Sequence, residues 1–480
     1  MNRSIVRYIL FKVIEFEAIF LGFACIVALI YHEREGLAYA AVALFCGIIG
    51  VIGTRKKPQN LTFFAKEGFV AVALSWIVLG VIGALPFWLC GDIPRYIDAL
   101  FETISGFTTT GASILEDVEI LSRCSLFWRS FTHWIGGMGV LVFILAVLPM
   151  ADGNEIHIMR AESPGPSVGK LVPRVKQTAM ILYIIYFAMT IVEMILLLIS
   201  GMPLFDTITL SFGTAGTGGF GILNSSVGSY SMASQSIITI FMILFGVNFS
   251  AYYFILMKKW KQALSFEEVR WYFIIIAASA LIIAVNIRGY YDTFIECFHH
   301  SVFQVASIMT TTGFSTGDFD KWPSLSKGIL VLLMFIGACA GSTGGGLKVS
   351  RIIAYCKIVK NEILFVIHPR RVRPLQLEGH SVSSDVSRGI PVYLAAFLLI
   401  FTASTLLISF DNKDLVTNFT AVAATINNIG PGLSVVGPTG NFSSYSDFSN
   451  VIFIFDMLIG RLEIFPLLVL LAPSTWRKGA

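Results

Sequence analysis

The sequence predicts an all-α integral membrane protein of ten transmembrane helices and four re-entrant pore loops. Helix, pore loop and helix form a pseudo-fourfold repeat, preceded by two N-terminal helices. Three observations carry that expectation. Ten apolar segments reach spanning length, lysine and arginine crowd the connections on one side, and four glycine-centred clusters recur on the other.

Composition sets the frame. Of 480 residues, 55% are hydrophobic and 13% charged, and the mean hydropathy is +0.77. A soluble chain so apolar would expose an apolar surface and aggregate, whereas a bilayer accepts it. A net charge of +4 is too mild to imply a nucleic-acid partner. Cys25, Cys46, Cys90, Cys124, Cys297, Cys339 and Cys356 include no CxxC pair and lie mostly in apolar runs. They read as small buried hydrophobes, with neither a disulfide framework nor a metal site implied.

A hydrocarbon core takes about 20 helical residues. Segments 8–31, 37–54, 65–90, 125–150, 178–201, 231–257, 271–289, 326–347, 389–410 and 450–472 qualify. The first contains Lys12, Glu15 and Glu17 and exceeds a signal-peptide core, so it is expected to remain as a partly amphipathic helix. Ten spans put both termini on one side. Arg3, Arg7, Arg55, Lys56, Lys57, Lys258, Lys259, Lys261, Arg370, Arg371 and Arg373 fall there, against a scatter such as Arg34, Arg95, Arg288 and Lys413 opposite. The positive-inside rule makes that side cytoplasmic. Two long polar inner loops, 151–177 and 348–388, are open either to docking a cytoplasmic partner or to resting on anionic lipid.

Four outer segments are more than connections. They read DALFETISGFTTTGAS from Asp98, DTITLSFGTAGTGGFG from Asp206, HSVFQVASIMTTTGFST from His300 and TNFTAVAATINNIGPGLS from Thr417. Aligned on Gly111, Gly219, Gly313 and Gly430, they put Asp98, Asp206, His300 and Thr417 at one common interval, as expected N-caps of four short helices. Phe101 and Phe303 coincide as well. The chain then divides into an N-terminal two-helix unit, 1–60, and pore repeats over 61–150, 151–257, 258–388 and 389–480.

Irregular backbone at membrane depth survives only where protein or water surrounds it. Four such loops meeting on one axis would turn carbonyls inward, and a carbonyl ring can replace the hydration shell of a monovalent cation. The expected filter comprises Thr109, Thr110 and Gly111; Thr217, Gly218 and Gly219; Thr311, Thr312 and Gly313; and Asn428, Ile429 and Gly430. Glycine reaches the dihedrals that such a backbone needs. The short helices would aim their partly negative C-terminal ends at the axis, favouring a cation. No carboxylate sits in the clusters, which argues against a divalent filter.

TTTGAS at 108–113, GTAGTGGFG at 213–221, TTTGFST at 310–316 and NNIGPGLS at 427–434 resemble the four pore loops of the Trk/Ktr/HKT potassium transporter superfamily. FWRSFTHWIGGMG at 127–139, GACAGSTGGGLKVSR at 337–351 and IGRLEIFP at 459–466 resemble its TrkH branch, as do the two extra N-terminal helices. The resemblance covers nearly the whole chain. It implies a single-chain, potassium-channel-like pore for potassium uptake across the bacterial inner membrane, the ion being cargo and no organic cofactor being needed. It implies a homodimer in the lipid bilayer, gated by a cytoplasmic ring of nucleotide-binding TrkA-type subunits. It also implies a gate under the filter at Gly341, Ser342, Thr343, Gly344, Gly345 and Gly346, with Arg461 reaching in beside it.

The residues themselves point the same way. Gly344, Gly345 and Gly346 break a helix, and Ser342 and Thr343 offer polar groups. Mid-span Arg461 should face a cavity or a partner such as Asp456 or Glu463, a structural ion pair being the plainer alternative. Two departures stand out: Asn427 and Asn428 replace threonines in the fourth loop, and Gly218 replaces one in the second. Because backbone carbonyls coordinate, the ring is expected to persist with imperfect fourfold symmetry.

Rival readings are a symporter coupling potassium to protons or sodium and, from another class, a membrane-embedded enzyme or scaffold. No Ser/His/Asp or HExxH constellation supports an enzyme. The GxGxxG at Gly216, Gly218 and Gly221 lacks a βαβ context, and Leu347 spoils the P-loop register of GSTGGGLK. His299 and His300, adjacent on a helix, point apart and suit packing or capping better than metal binding. Glu193 and Asn248, inside spans, are open to ion relay or, more commonly, interhelical hydrogen bonding.

Overall fold

The computed structural model describes residues 2–58, 64–139, 175–368 and 374–477. Helices α1 (Arg3–Tyr31) and α2 (Gly36–Thr54) form an N-terminal hairpin turned at His32, whose φ is 58°. Four runs follow, each a long helix, a short helix and a half-length helix. The first is α3 (Ala65–Gly83) with its continuation α4 (Leu85–Cys90), then α5 (Tyr96–Phe107) and α6 (Arg123–Gly137). The second is α7 (Val175–Ile199), α8 (Leu204–Gly216) and α9 (Met232–Phe245), trailed by α10 (Phe249–Leu256) and α11 (Trp260–Ser265). The third is α12 (Glu267–Asn286), α13 (Phe294–Met309) and α14 (Ser324–Ile336), then α15 (Val349–Ile367) and the antiparallel hairpin β1 (Gln376–Leu377) and β2 (His380–Ser381). The fourth is α16 (Ser384–Ile408), α17 (Leu415–Ile426) and α18 (Asp447–Arg461), ending in α19 (Phe465–Leu471) and α20 (Pro473–Trp476).

Polarity runs inside out. Long helices expose Leu29, Leu37, Ile199 and Leu399, while Thr103, Thr209, Thr214, Thr417 and Thr425 of the short helices are buried. Lipid around the apolar exterior makes that distribution stable. Among the described residues, six continuous helices are long and apolar enough to cross a membrane: α1, α2, α3 with α4, α7, α12 and α16. They match six of the ten expected spans within a few residues.

The other four expected spans are not continuous. Helices α6, α9, α14 and α18 hold 15, 14, 13 and 15 residues. At about 1.5 Å per residue, none bridges a ~30 Å core. The expected helices 231–257, 326–347 and 450–472 break at Gly246–Asn248, at Gly337 and at Leu462–Ile464. Helix α6 stops at Gly137, and residues 140–150 of the expected span 125–150 lie outside the described residues. The bend between α9 and α10 is 92°. Near the ends of α6 and α18 the backbone packs closely on a short helix. A Cβ on Gly136 would strike the Phe107 carbonyl, and one on Gly460 the Ile426 carbonyl, both at the ends of short helices.

The short helices occur where expected, but their caps differ. Asp98, Asp206 and Thr417 lie in the first turn, and His300 sits well inside α13. The N-cap residues are Arg95, Pro203, Thr293 and Asp414. Thr293 and Glu296 form a reciprocal capping box, and Asp414 accepts from Thr417 N at 3.0 Å. Hydrogen bonds from Thr417 hold the Asp414 carboxyl below the usual range. Alignment on the glycines fixes the C-terminal ends, whereas the helices run back 12, 13, 16 and 12 residues.

Candidate functional site

The four loops share one backbone trace. Two residues before each glycine, Thr109, Thr217, Thr311 and Asn428 have φ of 55°, 53°, 59° and 54°; Gly111, Gly219, Gly313 and Gly430 have 75°, 83°, 86° and 99°. Left-handed backbone costs a β-branched threonine about 1–2 kcal/mol, so something must impose it. Two hydrogen bonds do so in every loop. The amides of Thr109, Thr217, Thr311 and Asn428 donate to Gly106, Thr214, Ile308 and Thr425, and those of Thr110, Gly218, Thr312 and Ile429 to Ser105, Gly213, Ser307 and Ala424. Each short helix thus has its terminal carbonyls closed by the loop that follows, as in a Schellman cap.

The loops also close on one another. A Cβ on Gly111 would collide with the Gly218 carbonyl, one on Gly219 with that of Thr312, and one on Gly313 with that of Ile429. On Gly430 it would lie 2.8 Å from the Thr110 oxygen, which completes the circle one, two, three, four, one. All twelve expected filter residues therefore gather in one ring. Asn428 fits because asparagine tolerates the left-handed region, and its Nδ2 ties loop four to Thr110 Oγ1 and Met457 O, both at 2.9 Å.

Outside the ring lies a cavity of about 150 Å³ lined by all four glycines, with Glu116 and Arg129 in its wall. On this side Asp117 and Glu119 hold Asn224, whose hydrogen bond keeps the Asp117 carboxyl low. Behind the cavity, buried Arg129 pairs with buried Glu102 at 2.5 Å. Arg129 also donates to Gly221 O at 2.9 Å and lies 3.8 Å over the Phe220 ring, while Glu102 accepts from Ile114 N at 3.0 Å. One ion pair therefore joins the outer ends of loops one and two. Sequence reasoning passed over it, although two charges in apolar surroundings are the same signal that singled out Arg461.

On the opposite side of the ring, the segment between α14 and α15 presses against the loops. Gly344 and Gly345 leave no room for a Cβ, which would lie 2.8 Å from Thr310 O and 2.5 Å from Asn427 O. Gly345 N donates to Thr311 Oγ1 at 2.6 Å. Gly341 O accepts from Phe249 N at 3.0 Å, Thr343 Oγ1 donates to Phe245 O at 3.2 Å, and Ser342 Oγ donates to Cys339 O at 2.6 Å. Gly346, at φ 78°, packs on Gly337. Lys348, also overlooked, donates to Gly344 O.

Arg461 reaches this segment, but neither Asp456 nor Glu463 is its partner. Its Nη1 donates to Thr343 O at 3.0 Å and Thr109 Oγ1 at 3.2 Å, and its Nη2 to Gly137 O at 2.7 Å and to Gly136 O. Glu463 instead pairs with Arg351, and Asp456 accepts from Ser404 Oγ at 2.7 Å. A further missed residue is Glu268. Its Oε1 accepts from Ala340 N at 2.7 Å and Ser350 N at 2.9 Å, so one carboxylate clamps both stems of the glycine segment. Asn248 caps α10 through Ser250 N at 2.8 Å, and Glu193 is fully buried on α7. His299 contacts Gln235 and His300 contacts Thr316, each at 2.8 Å.

A family model described as "TrkH: Cation transport protein" matches residues 39–287 and 293–478. "Trk system potassium uptake protein TrkH" of Salmonella typhimurium is 37% identical over 463 residues, covering 94% of this chain and 95% of the relative. Its Vibrio parahaemolyticus namesake is 34% identical, covering 99% of both. The structure titled "Crystal Structure of the Potassium Transporter TrkH from Vibrio parahaemolyticus" aligns with a TM-score of 0.88 at 32% identity, covering 99% of this chain and 100% of that one. The family is one of transporters rather than enzymes, and this integral membrane chain belongs to it: it is a member of the TrkH family of cation transport proteins.

Proposed function

We propose that this protein takes up potassium across the bacterial inner membrane through a gated filter lined by backbone carbonyls. The carrying observation is the closed ring, in which each glycine packs on the carbonyl preceding the next loop's glycine. Relatives that span nearly the whole chain are named for potassium uptake, which supports the choice of ion. Ten membrane crossings, four of them interrupted beneath the filter, put both termini in the cytoplasm and divide the chain into the two-helix unit and four pore repeats. The segment Gly341–Gly346 is the gate, held shut by Arg461 and by Glu268. A homodimer regulated by a TrkA-type nucleotide-binding subunit, with potassium as cargo and no organic cofactor, completes the reading.

Two expected outcomes test the mechanism. In liposomes under a potassium gradient, the reversal potential should follow the potassium equilibrium value. A displacement by an imposed proton or sodium gradient would favour the symporter instead. Glu268→Ala should raise basal flux about tenfold, because hydrogen bonds to a charged acceptor contribute roughly 1.5–3 kcal/mol each. Glu268→Gln, which keeps an acceptor oxygen, should change it less. Unaltered basal flux in the alanine variant would remove Glu268 from the gate.

A further inference from the structure

A second site lies at the cytoplasmic end of the N-terminal helix, away from the ring. Arg3 and Arg7 occupy the first two turns of α1, where the helix already presents partial positive charge. No acidic residue offsets them in that first turn. Nearby Glu67 is engaged by the amides of Asn2 and Phe64, each at 3.1 Å. Among the described residues, neither guanidinium has a hydrogen-bonding or ionic partner. Two like charges at the positive end of a helix repel each other, and an anion between them would turn that cost into attraction.

The two arginines line a cavity of about 380 Å³ between α1, α3 and α20. Apart from Ser4, its remaining wall is apolar, built from Val6, Leu10, Leu74 and the Trp476 ring. The ring is fixed by its own hydrogen bond, Nε1 to Leu470 O at 2.9 Å. A free anion would gain nothing from those side chains. An amphiphile with a charged head and an apolar tail uses both halves of the site.

We propose that this cavity binds an anionic phospholipid of the inner leaflet, its phosphate between Arg3 and Arg7 and its chain along Val6, Leu10 and Leu74. The lipid then ties the N-terminal helix to the C-terminal turn across α3. Basic pockets between helices on the cytoplasmic side suit such headgroups, and an aromatic ring at the interface suits the glycerol level.

The test titrates delipidated full-length protein in detergent with phosphatidylglycerol, phosphatidylcholine or inorganic phosphate, reading bound lipid per chain by native mass spectrometry. Phosphatidylglycerol should bind at lower concentration than phosphatidylcholine, and inorganic phosphate should displace neither. Arg3→Gln with Arg7→Gln should weaken phosphatidylglycerol roughly tenfold or more. Arg55→Gln with Lys56→Gln removes the same charge from the same side and should leave binding unchanged. Trp476→Ala, which opens the apolar wall, should weaken both lipids. Equal losses in the two double variants would mean diffuse attraction and overturn the site. Equal binding of the two lipids would overturn its anion preference, and displacement by phosphate would make it a free-anion site.

Discussion

Gly313→Ser is expected to lower the potassium-to-sodium permeability ratio by about tenfold or more, since the added side chain displaces one quarter of the carbonyl ring. Gly313 has φ 86°, and a Cβ there would strike the Ile429 carbonyl and lie 3.0 Å from Pro431 Cδ. Neither neighbour yields easily. Ile429 N is bound to Ala424 O at 2.8 Å, so the peptide preceding the struck carbonyl is anchored to helix α17. The ring must open or rotate one carbonyl away, and either change relaxes the fit to a dehydrated ion. Bi-ionic reversal potentials measure the ratio directly. An unchanged ratio in a well-expressed variant would separate the glycine ring from selectivity.

Arg461→Ala is expected to raise flux through the unstimulated protein about tenfold while leaving the permeability ratio alone. Arg461 places a positive charge beside the ring, which on the proposed reading is a barrier to a cation leaving it. It also binds Thr343 O of the Gly341–Gly346 segment at 3.0 Å, Thr109 Oγ1 of loop one at 3.2 Å and the end of α6. Losing even one charge-assisted bond of roughly 1.5–3 kcal/mol shifts a closed–open balance by a decade or more. Isotope uptake into liposomes checks this. A fall in flux at normal expression would make Arg461 a structural strut.

What the sequence made legible follows from how specific each physical demand is. The glycine ring could be read because the left-handed turn at Gly111, Gly219, Gly313 and Gly430 leaves almost no alternative residue. Six spans could be read from apolar length alone. The breaks after α6, α9 and α18 were not read, and Gly344–Gly346 announced a break after α14 but not that it begins at Gly337. Near the ends of α6 and α18 the tight contacts are made far away in sequence, Gly136 on the Phe107 carbonyl and Gly460 on the Ile426 carbonyl. Arg461 was legible as a charge but not by its partners, three of which are backbone carbonyls and carry no residue signature. Glu268 reaches across 72 and 82 residues to two amides, and nothing local announces that. The N-cap assignments failed for a related reason: the repeat is strict at the ring and loose at the outer helix ends.

Cation flux into liposomes holding the purified protein tests the central claim most directly, comparing potassium, rubidium, sodium and N-methylglucamine. The account predicts passage of potassium and rubidium, exclusion of N-methylglucamine, and loss of discrimination when Gly111 or Gly313 is replaced. Deleting Gly344–Gly346 should raise the flux of the permeant ions. Absence of any cation flux from that deletion variant, folded and correctly inserted, would contradict a gated carbonyl filter.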